Sequence, residues 1–448
     1  DPGDGRAKVE LAYRELNEQA NRVGHYLRET YDIRPDDVIA LQLERSEWMI
    51  VAILGVLKSG AAYLPIDPFF PNSRVRHILD DSQAKLLLAD KRSFESTEEL
   101  SGILPVLNIE QIRANQAGNP SRINQLHDLA YVIYTSGSSG LPKGVTVGHT
   151  GLVNVVQKPM ELFAVTPSDR ILQFSNYTFD TSVAEIFLAL FTGMAIVIPK
   201  TTKLSIKQFV EVVIDNQVTI LSLPPKFLNV LAGTDLGGAR ILTLGGESPD
   251  ISVLKNYTQK YRCFNAYGVT EATVDSTWFE VPEDWNKANI PIGKPLPNIE
   301  VYILSEEIGL VPIGLAGEMC IGGIGLARGY LNNPELTAEK FIPNPFKLGE
   351  RLYRTGDLAR WLPDGNLEFL GRIDHQLKVR GYRIEAGEVE QALLDHPAIR
   401  SAVVEGKELG EGKELVAYLV CREGGLAGME ELRRHLSERL PAYMIPSY

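Results

Sequence analysis

The stretch of this 448-residue chain best suited to holding an anion is Tyr134-Thr-Ser-Gly-Ser-Ser-Gly-Leu-Pro-Lys-Gly144. Hydroxyl side chains at Thr135, Ser136, Ser138 and Ser139 flank Gly137, and Gly140 follows. Backbone N–H groups and hydroxyls in such a loop can turn toward one phosphate, and Lys143 adds a point charge. The string is not a Walker loop, because Gly144 follows Lys143 where a magnesium-binding Ser or Thr would stand. Composition alone leaves a flexible surface loop as the alternative. A Ser-His-Asp hydrolase is poorly supported, since no Gly-x-Ser-x-Gly elbow occurs.

A phosphate loop needs a rigid frame. The strand-like Ala130 to Tyr134 leads directly into it, and strand-like runs elsewhere alternate with helix-length segments. Arg14 to Thr30 carries apolar Leu16, Ala20, Val23 and Leu27 at helical spacing; Val38 to Leu43 reads as strand and Glu47 to Lys58 as a mostly buried helix. Lys85 to Ala89 and Ala195 to Ile198 read as further buried strands. The rhythm predicts an α/β body of mixed or parallel sheets covered by helices. After Arg360 the texture changes to a hairpin signal, Pro363-Asp364-Gly365-Asn366, and then to a charged stretch from Arg372 to Glu390. A boundary there would separate a large body, residues 1–373, from a small mobile α+β unit, residues 374–448.

Lys and Arg number 45 against 57 Asp and Glu, a net charge of -12 that argues against nucleic acid and anionic lipid as partners. No apolar run approaches the roughly 20 residues of a membrane span. The first residues lack a basic start and an apolar core, so a cytoplasmic location is expected. Cys263, Cys320 and Cys421 are odd in number and far apart, which points to buried free thiols rather than a disulfide framework or zinc site.

The loop resembles the phosphate loop of the adenylate-forming superfamily, and the chain as a whole resembles an amino-acid-activating adenylation domain of a nonribosomal peptide synthetase. The likeness runs through Leu11 to Asn17, Leu57 to Asp67, the loop, Asn265-Ala-Tyr-Gly-Val-Thr-Glu271, Gly317 to Gly323, Tyr353-Arg-Thr-Gly-Asp-Leu358 and Gly371 to Glu385. It implies ATP and Mg²⁺ as cofactors. It also implies an amino-acid substrate, a peptidyl carrier protein with a phosphopantetheine arm, a neighbouring condensation domain and a small activator protein as partners. In the implied reaction a carboxylate oxygen attacks the α-phosphorus of ATP while pyrophosphate leaves, so the enzyme mainly positions reactants and neutralises charge. By resemblance, Thr135, Ser136 and Lys143 hold the departing phosphates, within the loop that also contains Gly137, Ser138, Ser139 and Gly140. Asn265 reads the adenine edge, Tyr267 stacks on its face between Ala266 and Gly268, and Thr270 contacts the α-phosphate. Glu271 holds magnesium, Asp357 accepts the ribose hydroxyls, and Arg372 lies near the ribose. Asp374 is the implied hinge for a rotation that serves transfer to the carrier thiol. Lys378 to Glu385, with Gly381 at its turn, would line the thiol tunnel; a solvated charged hairpin is the alternative.

Two departures stand out. Val269 replaces the family's usual proline, and the sequence ends at Pro446-Ser-Tyr448, before the segment that supplies the family's lysine to the acyl phosphate. The small unit is therefore expected to be incomplete here.

Asp180, in Asn176-Tyr-Thr-Phe-Asp180-Thr-Ser-Val-Ala-Glu185, matches the aspartate that pairs with an amino acid's α-ammonium in the family. A carboxylate in an apolar segment is costly to bury without a cation, and a ligand ammonium would supply one. The alternative is an aspartate capping a helix that starts near Ser182. The family's pocket positions carry over to Asp180, Thr181, Ala184, Ser222, Thr243, Gly245, Ala266, Val274 and Asp275. Ala184, Gly245 and Ala266 leave room, while Asp275 adds charge, a pattern that favours arginine or another long cationic amino acid, with tyrosine or glutamine next. An acyl-CoA ligase shares the ATP motifs, and a substrate-binding scaffold with little turnover is the non-enzymatic alternative.

Overall fold

The computed structural model describes residues 8–97, 100, 102–137, 140–201, 203–231, 233–374, 376–379, 382–409, 412–422 and 428–448. Among them, the first sheet has seven strands in the order Gly329–Tyr330, Lys143–Gly148, Leu129–Thr135, Ala62–Pro65, Val38–Gln42, Leu87–Ala89 and Val106–Asn108. The five strands from Leu129–Thr135 to Val106–Asn108 pair parallel, whereas Lys143–Gly148 pairs antiparallel with both of its neighbours. All five residues of Val38–Gln42 are buried, as a strand covered on both faces requires.

The second sheet also has seven strands, ordered Lys294–Pro295, Thr277–Val281, Arg262–Tyr267, Ile241–Gly245, Ile220–Leu223, Arg170–Leu172 and Ala195–Val197. Ala195–Val197, expected to be buried, is half-buried because it ends the sheet and pairs only through Arg170–Leu172. The helices His149–Leu162 and Thr181–Thr192 carry Leu152, Val155, Val156, Val183, Ile186 and Phe187 into one core with Tyr131, Ile133 and Phe264, so both sheets pack against them. Gly193 ends the second of these helices with φ 75°, a left-handed conformation that glycine adopts without a Cβ clash.

A third, antiparallel sheet joins Ile299–Leu304, Gly317–Gly323, Arg351–Trp361 and Phe341–Pro343, with Leu367–Arg372 added to Arg351–Trp361 through the expected Pro363 to Asn366 hairpin turn. Beyond it lie two two-stranded ribbons, Gln376–Val379 with Tyr382–Glu385 and Ile399–Leu409 with Gly412–Cys421, and the helices Ala386–Leu394 and Met429–Ser437. Their apolar cluster, built on Val379, Ile384, Val389, Leu393, Leu415, Leu436 and Met444, contains no residue before Leu377. Cys263 and Cys320 are buried as expected, but Cys421 is exposed, because it ends an edge strand of the outer ribbon. No helix among the described residues is long and apolar enough to cross a membrane.

Candidate active site

The glycine-rich loop is the tip of a hairpin. Leu129–Thr135 and Lys143–Gly148 run antiparallel with Thr135 opposite Lys143, so a strand rather than a helix follows the loop. Ser138 and Ser139 lie outside the described residues. Ser136, Gly137 and Gly140 already have neighbours from the C-terminal part of the chain. The Ser136 hydroxyl donates to the Arg383 carbonyl at 2.9 Å, and the Gly137 N–H donates to Glu388 Oε2 at 3.3 Å. Gly140, at φ 86°, lies against Gln391, where a Cβ would sit 3.2 Å from its side chain. The Lys143 ammonium sits 4.7 Å from the Tyr330 ring centroid; burial lowers its pKa against the opposing pull of Glu271.

Glu271 stands on a short 3-10 turn, Thr270–Ala272, just after the strand Arg262–Tyr267, and has no exposed surface. Tyr330 donates to Oε1 at 2.7 Å and Arg383 to Oε2 at 2.8 Å. Burial alone would raise its pKa, but the Arg383 guanidinium and then Lys143 bring it down to about 2, so the carboxylate is ionised. Val269, which precedes this turn, has φ -136°, well outside the range a proline ring permits, so the departure from the family pattern has a backbone counterpart.

Asn265, Ala266, Tyr267 and Gly268 lie on the end of that strand and the residue after it. The Asn265 side-chain amide donates to the Pro291 carbonyl at 2.8 Å. The Tyr267 hydroxyl donates to Asp357 Oδ2, and Arg372 Nη1 donates to Asp357 Oδ1 at 2.8 Å. Arg372 also grips Asp374 with two bonds of 2.6 Å. That grip passes over Gly356, where a Cβ would come within 2.9 Å of both side chains. Burial disfavours the Arg372 charge, yet the carboxylates of Asp374 and Asp357 raise its pKa overall. Thr270, expected at the α-phosphate, lies beside Asp180 and favours its charged form against the effect of burial.

All nine pocket positions inferred from the sequence line one cavity of about 1230 Å³, together with Thr135, Ser136, Gly268, Thr270 and Arg372. Asp180 precedes the helix Thr181–Thr192, which starts one residue earlier than expected, and its side chain makes no cap hydrogen bond. Burial raises the Asp180 pKa. Asp275 reaches the same cavity from a tight turn in which Thr273 and Val274 both have positive φ, 57° and 67°, strained values for β-branched residues. The turn is pressed against Gly268, where a Cβ would lie 1.8 Å from the Val274 carbonyl oxygen. Burial and then the Asp180 charge push Asp275 up to about 7, with the nearby Trp278 indole acting in the opposite direction. No salt bridge among the described residues gives Asp180 or Asp275 a cation from the protein.

Within the segment Lys378 to Glu385, Val379 and Ile384 are buried. Gly381 lies outside the described residues, but Val379 and Tyr382 line the cavity, Tyr382 stacks on Tyr443 at 4.3 Å, and Arg383 enters the site. Arg383, Glu388, Arg74, Tyr330 and Trp278 are site residues that the sequence reading missed. Arg383 lies inside the Gly371 to Glu385 string, which was the one available signal. Arg74 and Glu388 meet across 314 positions, beyond any local pattern.

The chain matches the model of the AMP-binding enzymes over residues 5–331 and that of the AMP-binding enzyme C-terminal domain over residues 388–448. It is 43% identical over 443 residues to tyrocidine synthase 1 of Brevibacillus parabrevis, covering 98% of this chain and 40% of that protein. It is 44% identical over 440 residues to bacitracin synthase 1 of Bacillus licheniformis, covering 98% of this chain and 8% of that one. The chain thus spans less than half the length of these curated relatives. In three dimensions it resembles an artificially fused adenylation–PCP di-domain from Klebsiella oxytoca, with TM-score 0.88 and 27% identity over 98% of this chain and 88% of that one. It also resembles a four-domain nonribosomal peptide synthetase bound to AMP and glycine, with TM-score 0.73 and 34% identity over 98% of this chain and 33% of that one. On these matches the chain belongs to the AMP-binding enzymes, as an adenylation domain of the nonribosomal peptide synthetase type.

Proposed function

We propose that this domain activates a long, cationic L-amino acid, arginine or a close relative, and passes it to a carrier protein. In the first step a carboxylate oxygen of the amino acid forms a bond to the α-phosphorus of ATP as the bond to pyrophosphate breaks. In the second, a phosphopantetheine thiol attacks the acyl carbon, AMP leaves, and the thiol proton passes to solvent. The observation that carries the substrate class is the pair Asp180 and Asp275, two carboxylates lining one cavity without a salt-bridge partner among the described residues. Asp180 takes the α-ammonium. Asp275 takes the guanidinium or ammonium at the far end, in a space left by Ala184, Gly245 and Ala266. Small apolar substrates would leave these polar groups unpaired, at about 1 to 3 kcal/mol each.

Ser136, the Gly137 N–H and Lys143 are the groups for the departing phosphates, Asn265 and Tyr267 for adenine, Asp357 and Arg372 for the ribose side. Glu271 fits a magnesium ion: it is an ionised, hard oxygen donor with no exposed surface. Among the described residues no group of three or more His, Cys, Asp or Glu surrounds it, so phosphate and water oxygens would complete the shell. When bound, the ion neutralises charge on the phosphates. The large unit is residues 1–373 and the small one residues 374–448, with Asp374 at the hinge between them. A condensation domain and a small activator protein complete the proposed set of partners.

Amino-acid-dependent exchange of labelled pyrophosphate into ATP tests this reading. Exchange with arginine or lysine well above that with leucine or glycine is expected. Strong exchange with leucine and none with cationic amino acids would overturn the substrate class, and exchange with no amino acid would overturn the activity.

A further inference from the structure

Lys143 and Glu271, the two charges proposed for the phosphate site, do not pair with each other. No salt bridge joins them among the described residues, although each acts on the other electrostatically. Tyr330 touches both. The Lys143 ammonium sits over the face of its ring, 4.7 Å from the centroid, and its hydroxyl donates to Glu271 Oε1 at 2.7 Å, while Arg383 donates to Oε2. An aromatic ring is negative on its face and a phenol donates from its edge, so one side chain satisfies a cation and a carboxylate at once. The sheet dictates this placement. Tyr330 stands opposite Val145 on the neighbouring strand, and Lys143, two residues from Val145, shares its face as a diagonal cross-strand neighbour. The ring is 5% exposed and meets Phe341 edge-on at 5.8 Å, and the Tyr330 N–H donates to Thr337 Oγ1 at 2.9 Å.

We infer that Tyr330 is a positioning residue that holds Lys143 and Glu271 apart, so that the cation stays available to phosphate and the carboxylate to magnesium. The inference rests on the reading of those two residues as the phosphate and magnesium groups. Opposite charges shielded from water attract strongly, and a direct pair would cancel the charge that each ligand needs. The two halves of the tyrosine act separately. Its hydroxyl orients the carboxylate, as the hydrogen-bond partner of a metal ligand does, and its ring keeps the ammonium off Oε1. Loss of the hydroxyl alone therefore harms only the magnesium side. Loss of the ring as well lets Lys143 pair with Glu271, and both sides suffer.

Calorimetry on the full chain tests this, with ATP in the presence of a chelator, ATP with magnesium, and AMP as the probes. Tyr330→Phe should bind metal-free ATP within about twofold of the unaltered protein, while the affinity gained on adding magnesium falls by about tenfold or more. Tyr330→Leu should bind metal-free ATP about tenfold more weakly, with AMP, which lacks the outer phosphates, little changed. Glu271→Gln then removes the carboxylate that has captured Lys143. It should strengthen metal-free ATP binding at least about fivefold more in the Tyr330→Leu background than in the unaltered one, a coupling that a merely structural tyrosine would not produce. Equal effects of Glu271→Gln in both backgrounds, an intact magnesium gain in Tyr330→Phe, or equal losses of AMP and ATP in Tyr330→Leu would overturn the inference. Lys143→Ala separates its failure from that of the underlying reading. If Lys143→Ala weakens ATP but not AMP while the Tyr330 variants behave as the unaltered protein, the phosphate site stands and the role of Tyr330 falls. If Lys143→Ala leaves ATP binding unchanged, the phosphate assignment falls and the inference with it.

Discussion

Asp357 and Asp374 are bound by the same guanidinium: Arg372 donates to Asp357 at 2.8 Å and holds both oxygens of Asp374 at 2.6 Å. The carboxylate proposed for the ribose and the residue proposed as hinge are therefore not independent. Anything that alters the charge balance at Asp357 is felt at Asp374 through one rigid, planar group.

Replacing Arg372 by lysine keeps the charge but cannot form this fork, because an ammonium is a point donor. The side chain of Asp357 has no exposed surface, so its loss of a partner costs about 3 kcal/mol or more. Arg372→Lys should lower the thermal midpoint by several degrees, raise KM for ATP about tenfold, and speed proteolysis between the units. Unchanged KM and cleavage would show that the shared guanidinium couples nothing.

The Asp275 carboxyl, raised from 3.8 to about 7 by burial and the neighbouring Asp180, gives a signed pH dependence. Between those values the folded chain holds a proton that the unfolded chain has lost, so this group's contribution to stability falls as pH rises through the window. A cationic ligand needs the ionised form. Affinity for arginine should thus drop about tenfold per pH unit below 7 and level off above it. Titration calorimetry from pH 5.5 to 8 checks this, and Asp275→Asn should remove most of the slope; an unchanged slope would place the titrating group elsewhere.

At Gly268 a Cβ would stand 1.8 Å from the Val274 carbonyl oxygen, a backbone atom that can move only with the strained 273–275 turn. Gly268→Ala should therefore displace Asp275, lowering the thermal midpoint and reducing exchange with the preferred amino acid by tenfold or more. A variant with normal stability and selectivity would show that the turn is not what aims Asp275.

The sequence was most informative where chemistry is local. The loop from Tyr134 to Gly144, the Asn265 to Glu271 string and the paired Asp180 and Asp275 could be read from residue types and resemblance, and the nine pocket positions meet in one cavity. Local pattern also suffices for the helix of Glu47 to Ser59, since its apolar residues are contiguous and Gly60 caps it at φ 105°. It does not suffice for Arg383, whose carboxylate partner is 112 positions away, or for Glu388 and Arg74, whose charges look like ordinary surface residues until two units dock. Ala195–Val197 shows a second limit: an apolar tripeptide does not reveal whether it will lie inside a sheet or at its edge.

The most direct test of the two-carboxylate account is amino-acid-dependent pyrophosphate exchange by Asp180→Ala and Asp275→Ala, each with arginine and with leucine. A charge-assisted hydrogen bond in a desolvated site is worth about 1.5 to 3 kcal/mol, or roughly ten- to a hundredfold in rate. Asp275→Ala should lose that much with arginine and little with leucine, whereas Asp180→Ala should lose activity with both, because every amino acid carries the α-ammonium. Equal losses with both substrates in Asp275→Ala, or a cationic preference that survives it, would contradict the assignment of Asp275 to the substrate side chain.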